Sequence, residues 1–548
     1  MEKKSSFKRI SELVVSNKKE VVSIYLFSML SGLVNLSLPL GVQTIIGLVL
    51  GATMVTSIYV LITLVVLGVF IVGVLQVNQM KIIERVQQKL FTEYAFEFAN
   101  RLPKFDLKKT DHYFIPEKIN RFFDTVNIQK GFAKLLLDIP IASVQIVLGI
   151  ILLCLYHPLF IILGLVLILI LGLILKFTSA KGVETSIEES NYKYKVVGFF
   201  GEMARTLKSF KSIQNSRLNL SKTDKNVEGY LAARTKHFKI LLFQYKALIF
   251  FKVSLSILML TLGTYLLLNQ QLNIGEFIAA EIVILMVIAA VEKLIVSLDS
   301  LYDVITGLEK LASVTELPLE STGDLNLAPS QAVEIKLEKF SFQFNSSKRL
   351  LDSISVHILP GQKVSVSGEE GSGKSLFLRI LTGNYQDFEG SFLINQIPIH
   401  NFNLTNFRGM TGVLFQGQEI FEGTIWENIS LGNQDVSSNE IMELAQKLGI
   451  EDFIVHFKKG FDHVIEPIGK KTPHSTIRKI LLLRALSGKK NLLLLDHPWN
   501  GLEASSAEKI KNYLLSDHLQ STCVIISNDQ AFNQKTALQL NFKNGKSV

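Results

Sequence analysis

The run Gly368-Glu369-Glu370-Gly371-Ser372-Gly373-Lys374-Ser375 follows the pattern G-x-x-x-x-G-K-[ST]. Glycines in such a loop let backbone N–H groups turn inward around phosphate oxygens, and the dipole of a following helix favours the same negative charge. Lys374 then neutralises the terminal phosphates, and the Ser375 hydroxyl can ligate Mg2+. The pattern needs a strand before it and a helix after it. An apolar β-branched run at 364–366 leads in, and helix-forming residues follow from Leu376 to 381. The expected phosphate contacts therefore run from Gly368 through Leu376. A second group fits the same chemistry. In Leu492-Leu493-Leu494-Leu495-Asp496, a buried apolar strand carries one carboxylate to the C-terminal edge of a sheet. There Asp496 either holds Mg2+ through water or caps the next helix.

These residues need a frame, and the chain after residue 333 supplies one. Strands are expected at 334–344, 349–359, 491–495 and 522–527, alternating with helical segments. This is the pattern of an α/β P-loop nucleotide-binding domain over 333–548. Residues 317–332, rich in Ser, Gly, Asn and Pro, read as a linker. Upstream, residues 1–316 have a different character. The whole chain of 548 residues is 48% hydrophobic and only 19% charged, with mean hydropathy +0.32, which places it among membrane proteins. No Asp, Glu, Lys or Arg occurs over 21–80, enough for two helical spans with a turn at 51–56. Uncharged residues return over 139–175, broken at Tyr156-His157-Pro158, and again over 253–275, continuing into 277–291 with the isolated Glu281. Three hairpins, or six transmembrane helices, are expected in an all-α polytopic domain.

The formal charge of +9 raises the question of nucleic acid. The basic residues answer it, because they cluster at 3–19, 81–134 and 176–252, beside the apolar segments, while the opposite turns carry no Lys or Arg. That asymmetry points to a lipid membrane as the partner, with both termini and the two long connections in the cytoplasm. Apolar residues in the connections, such as Ile119, Phe122, Phe123 and Val126, recur at helical spacing, so the connections should be helical extensions of the spans. Phe7, Ile10, Leu13 and Val14 suggest an amphipathic helix on the membrane surface, and the first apolar stretch, starting at Val21, is too long for a cleavable signal. Cys154 and Cys523 are expected to be packing residues.

Six spans with long helical connections followed by this nucleotide-binding domain resemble a half-transporter of the ABC exporter family, over essentially the whole chain. The resemblance implies ATP and Mg2+ as ligands, a homodimer or heterodimer with a second half-transporter, and a multi-pass location in the plasma (cell inner) membrane. It implies roles for further residues. Phe344 stands where the family stacks a ring on adenine, although a strand core residue would read the same. Gln416 matches the glutamine that senses Mg2+ and faces the membrane domain, and the run Phe421-Glu422-Gly423-Thr424-Ile425-Trp426-Glu427-Asn428-Ile429 follows as in the family. The metal set is then Ser375, Gln416 and Asp496. Residues 120–129 and 191–211 fall where the family places helices that dock on nucleotide-binding domains.

The chain departs from the family at its hydrolytic groups. His497 stands where a glutamate polarises the attacking water, and Asn528 where a histidine contacts the γ-phosphate. A positioned general base contributes about 10²–10⁴ in rate. The family's signature, which reaches ATP on the opposite subunit, is replaced by Thr472-Pro473-His474-Ser475-Thr476 after a segment at 468–471 that looks shortened. Ser475 or Thr476 is expected to cap the helix that follows. Glu503 replaces an aspartate in Gly501-Leu502-Glu503. Two functions fit: an ATP-binding exporter half that moves a substrate as a dimer, or a non-hydrolysing regulatory or scaffolding subunit.

Overall fold

A run of apolar residues in a bilayer must satisfy its backbone internally, and helices do so. The computed structural model describes residues 6–51, 55–212, 217–329, 331–344, 349–465 and 472–547. They form two units, one of Met1–Pro103 and Tyr113–Leu317, the other of Lys104–His112 and Pro318–Val548. In the first unit, six of the described helical stretches are long and apolar enough to cross a membrane: Lys18–Leu50, Thr56–Lys104, Ile115–Tyr156, Phe160–Arg205, Leu218–Leu268 and Ile274–Thr315. The unbroken helix Val55–Arg101 has 47 residues, a length of about 70 Å at 1.5 Å per residue, so the connections do continue the spans as helix.

The first span was expected as one helix and is two, Lys18–Asn35 and Ser37–Leu50. Pro39 has no N–H to give the carbonyl of Asn35, so the ladder restarts at Leu36. Close approach of the third and sixth spans rests on missing side chains. A Cβ at Gly149 would come within 2.5 Å of Val287, and one at Gly131 within 2.6 Å of Val304. A polar knot fixes the register of the fourth and fifth spans, where the buried Gln244 amide donates to Thr178 Oγ1 at 2.8 Å and to Tyr302 OH at 2.7 Å. The amphipathic segment is a helix over Ser6–Ser16. Arg9 ties it to Glu309 at 3.1 Å and Glu316 at 2.5 Å, and Leu13 is buried while Phe7 and Val14 stay exposed.

The second unit carries strands β1 (Ile335–Phe342), β2 (Leu351–Ile358), β3 (Lys363–Gly368), β4 (Glu389–Ile394), β5 (Ile397–Pro398), β6 (Thr411–Leu414), β7 (Gly423–Thr424), β8 (Val464–Ile465), β9 (Leu492–Asp496), β10 (Thr522–Ile526), β11 (Leu538–Lys543) and β12 (Lys546–Ser547). The four expected strands are present, with ends at most two residues different. The central sheet has the order β12-β11-β3-β10-β9-β6, and its pairs from β11 to β6 are parallel. A separate antiparallel sheet runs β2-β1-β4-β5. β9 is apolar at every position before Asp496 because both of its faces are covered: Leu492 and Leu494 enter one core, Leu493 and Leu495 the other.

The Ser- and Pro-rich stretch after Pro318 is strapped to this unit. Leu325 donates its N–H to Asn401 O at 3.0 Å and accepts from Asn403 N at 2.8 Å, and Arg408 holds Glu320 through two bonds of 2.7 Å. Lys104–His112 also belongs here, with Asp106 N donating to Pro318 O at 3.0 Å and Lys108 bound to Asp387 at 2.7 Å. Lys108 holds the Asp387 carboxyl below its ordinary range.

Cys523 is fully buried in β10, and burial pushes its thiol up to about 11. Iodoacetamide at pH 8 should leave it unmodified in the native chain and label it after denaturation. Mass spectrometry of the Cys523 peptide checks this; labelling of the native protein contradicts the packing described.

Candidate functional site

Register along the central sheet brings the chemistry together. Val366 pairs with Ile526, Ile526 with Asp496, and Leu414 with Leu495. The loop after β3, the residues after β9 and β10, and the segment entering Gln416 therefore leave the sheet at one C-terminal edge, where open α/β sheets bind ligands.

The loop after β3 has backbone that needs glycine. Gly368 and Gly373 have φ of 138° and 100°, and a Cβ at Gly368 would overlap the Phe542 carbonyl oxygen. Gly545 N supports the loop from behind by donating to Ser372 O at 3.1 Å. The helix Lys374–Leu381 starts directly on Gly373, and its Phe377, Leu378, Ile380 and Leu381 are buried in the core below. Lys374 Nζ folds back over the loop, donating to Gly368 O at 2.7 Å and Glu369 O at 2.6 Å. The ammonium group thus lies over the cradle. Ser375 Oγ donates to Asp496 Oδ2 at 2.9 Å. A hydroxyl and a carboxylate meeting in this way form an oxygen donor set suited to Mg2+, and the loop's geometry fits a nucleotide's phosphates.

His497 follows Asp496 with φ of 50°, a left-handed conformation unusual for a residue with a side chain. Its Nδ1 lies 2.7 Å from Asp496 Oδ1, and Gln416 Nε2 approaches the same nitrogen at 3.4 Å. The imidazole therefore occupies the second oxygen of the carboxylate. Asn528 is exposed just beyond β10. Its turn is set by its neighbours, with Asp529 N donating to Ser527 Oγ at 3.0 Å and Asp529 capping the next helix at Phe532 N. Glu369, Glu370 and Gly371 form the exposed rim of the loop, while Ser372 is buried. Phe344 is half-buried, edge-on to Phe342 at 5.0 Å and Tyr385 at 5.4 Å.

The signature replacement differs from expectation. The helix His474–Leu486 begins after Pro473, which takes the cap position with φ −58° and ψ 145° and makes no side-chain cap bond. Ser475 and Thr476 lie inside the first turn, Ser475 exposed and Thr476 buried, so neither caps the helix. Proline's fixed φ sets the helix start two or three residues earlier than a Ser475 or Thr476 cap would. The segment 468–471 lies outside the described residues. Glu503 stands before the helix Ala504–Leu515 and is exposed. Sequence reading missed Arg478. From the helix His474–Leu486 it reaches the end of β9, where Nη2 donates to the carbonyls of Asp496, at 2.6 Å, and His497.

The run from Phe421 to Ile429 acts as a scaffold around one side chain. Asn428 is fully buried; its Oδ1 accepts from Phe421 N at 3.0 Å, and its Nδ2 donates to Phe421 O at 2.9 Å and Thr424 O at 3.1 Å. Arg484 donates to Asn428 O at 2.7 Å, and Thr424 with Glu427 forms a capping box.

Comparison with known proteins agrees with this architecture. Residues 21–291 match the ABC transporter transmembrane region and residues 351–500 the ABC transporter domain. The chain belongs to the ABC transporter family. It has the exporter half-transporter arrangement, a six-helix membrane region followed by an ATP-binding α/β domain. The alpha-hemolysin translocation ATP-binding protein HlyB of Escherichia coli O157:H7 is 25% identical over 333 residues, 60% of this chain and 47% of that protein. The uncharacterized ABC transporter ATP-binding protein YknV of Bacillus subtilis is 24% identical over 274 residues, 48% of this chain and 44% of that one. Among its curated relatives, the chain spans about half the length of those it matches. The fold is that of a bacterial Atm1-family ABC exporter with ATP bound, at a TM-score of 0.85 and 18% identity, covering 97% of this ABC transporter chain and 94% of the other.

Replacing Asn428 by alanine removes the partner of the Phe421 N–H and carbonyl and of the Thr424 carbonyl. Asn428→Ala should cost about 2–4 kcal/mol in unfolding free energy, from several bonds of about 1 kcal/mol plus the desolvated groups left behind. Denaturant melts of the full chain in detergent measure it, and a loss below about 1 kcal/mol contradicts the scaffold role.

Proposed function

We propose that this chain is the ATP-binding half of a dimeric ABC exporter, moving an unidentified substrate across the plasma (cell inner) membrane, and that its own site binds Mg-ATP but hydrolyses it weakly. The observation that carries the reading is the Ser375 to Asp496 contact beneath the Lys374 cradle, in a chain whose described residues include six helical stretches long and apolar enough to cross a membrane. The clustering of basic residues beside the spans supports cytoplasmic termini and nucleotide domain. When bound, Mg2+ would neutralise charge on the terminal phosphates. Gly368 to Leu376 would wrap the phosphates, Ser375, Gln416 and Asp496 would hold the ion, and Phe344 would stack its ring on the base. Residues 120–129 and 191–211 are the proposed docking regions of the membrane unit.

A second reading, a non-hydrolysing regulatory or scaffolding subunit assembled with an active partner, is favoured by one observation. His497 offers an imidazole where a carboxylate base is needed, and that imidazole is already engaged by Asp496. A heterodimer would keep one better hydrolytic site, in which the partner's glutamate works with this chain's replaced signature at 472–476.

Lys374→Ala should weaken ATP binding by at least about tenfold, the worth of one charge-assisted contact, measured by nucleotide titration of the purified chain in lipid nanodiscs. Unchanged affinity would remove the P-loop from the account. His497→Glu should raise ATP turnover by about 10² or more if the missing base is the main defect. A turnover unchanged by that substitution would favour the regulatory reading.

A further inference from the structure

The left-handed backbone at His497 costs energy for a residue with a side chain, of order 1 kcal/mol, and persists only where its surroundings hold it. Two contacts hold it here. His497 N donates to Ile526 O at 3.0 Å, which fixes the peptide against β10. On the other side a single Arg478 nitrogen bridges the carbonyls of Asp496 and His497. Both carbonyls belong to the turn that aims the Asp496 carboxylate at Ser375.

We propose that Arg478 is a positioning residue for the metal-binding arm of the ATP site, holding the Asp496–His497 turn so that the Asp496 carboxylate faces Ser375. Its placement supports the role. Asp496 is fully buried, and a buried carboxylate without a nearby cation is costly. Arg478 brings that cation without occupying a carboxylate oxygen, because its hydrogen bonds go to backbone. Burial lowers the guanidinium from its ordinary value, and the Asp496 charge pulls it back up, while an arginine stays protonated throughout. The same side chain grows from the first turns of the helix that opens at Pro473, next to the replaced signature. A shift of that helix is therefore delivered by one side chain to the Asp496 turn. Phosphate contacts of the loop after β3 are separate: among the described residues the Arg478 hydrogen bonds go to the Asp496 and His497 carbonyls, while Lys374 bonds to Gly368 O and Glu369 O.

The inference rests on the reading that the chain binds Mg-ATP, and the test separates the two. ATP affinity of the full chain in nanodiscs is titrated in Mg2+ and in EDTA, for the unsubstituted protein, Arg478→Met and Arg478→Lys. If the unsubstituted protein shows no ATP binding strengthened by Mg2+, the underlying reading fails and this inference with it. Otherwise Arg478→Met should weaken binding in Mg2+ by about tenfold and in EDTA by no more than about twofold, with Arg478→Lys recovering most of the loss. Deuterium uptake of the peptide spanning 492–500 should rise in nucleotide-free Arg478→Met. Should that variant fail to accumulate, Arg478→Gln, which keeps an NH2 group and loses the charge, is read in the same way. Equal weakening in Mg2+ and EDTA, or no weakening in either, overturns the assignment.

Discussion

The Asp496 carboxylate is fully buried, and each of its oxygens is engaged, Oδ2 by Ser375 and Oδ1 by His497. A buried carboxylate is tolerated only with such partners. That requirement organises the second unit. It needs a strand, β9, dry on both faces to carry the acid inward. It needs the helix Lys374–Leu381 to present Ser375 from the other side, and a turn held by Arg478 and Ile526 to set the angle. The P-loop is the partner structure that this carboxylate completes.

Binding and hydrolysis are separable on this site because they use different parts of it. In the proposed reading, phosphate binding would rest on backbone N–H groups, Lys374 and the Ser375 to Asp496 pair, whose contacts are those described for Lys374 and Ser375. In the same reading, hydrolysis would need a base in the next position and a charged contact beyond β10. There the chain offers His497, turned to Asp496, and the exposed Asn528. An imidazole whose Nδ1 faces the carboxylate lends Asp496 a hydrogen bond, and when neutral it brings no negative charge to the position where the family has glutamate.

Where chemistry depends on residue type at fixed spacing, the chain is readable before folding. Gly368 to Ser375 needs its glycines for φ and close approach, and Asp496 needs an apolar run before it, so both stand out. Six apolar runs in hairpins are equally legible, since a bilayer leaves the backbone few choices. What escaped reading depends on backbone acceptors or on distant segments. Arg478 binds two carbonyls, which every residue has, so its type carries no hint of its partner. Lys104–His112 joins the second unit through Pro318 O and Asp387, a pairing that no local pattern encodes. At Pro473 the misreading came from weighing Ser and Thr as caps over the fixed φ of proline, and at Leu36 from missing what Pro39 removes.

The central claim is that this chain holds Mg-ATP in a complete cradle and turns it over poorly. Its most direct test is the identity of the nucleotide retained. The purified chain is incubated with Mg-ATP, separated rapidly from free nucleotide, and extracted for chromatography. The account predicts mostly intact ATP, retained in a Mg2+-dependent manner and absent from Lys374→Ala. Retained ADP with free phosphate released at the rate of an active ATPase would contradict it.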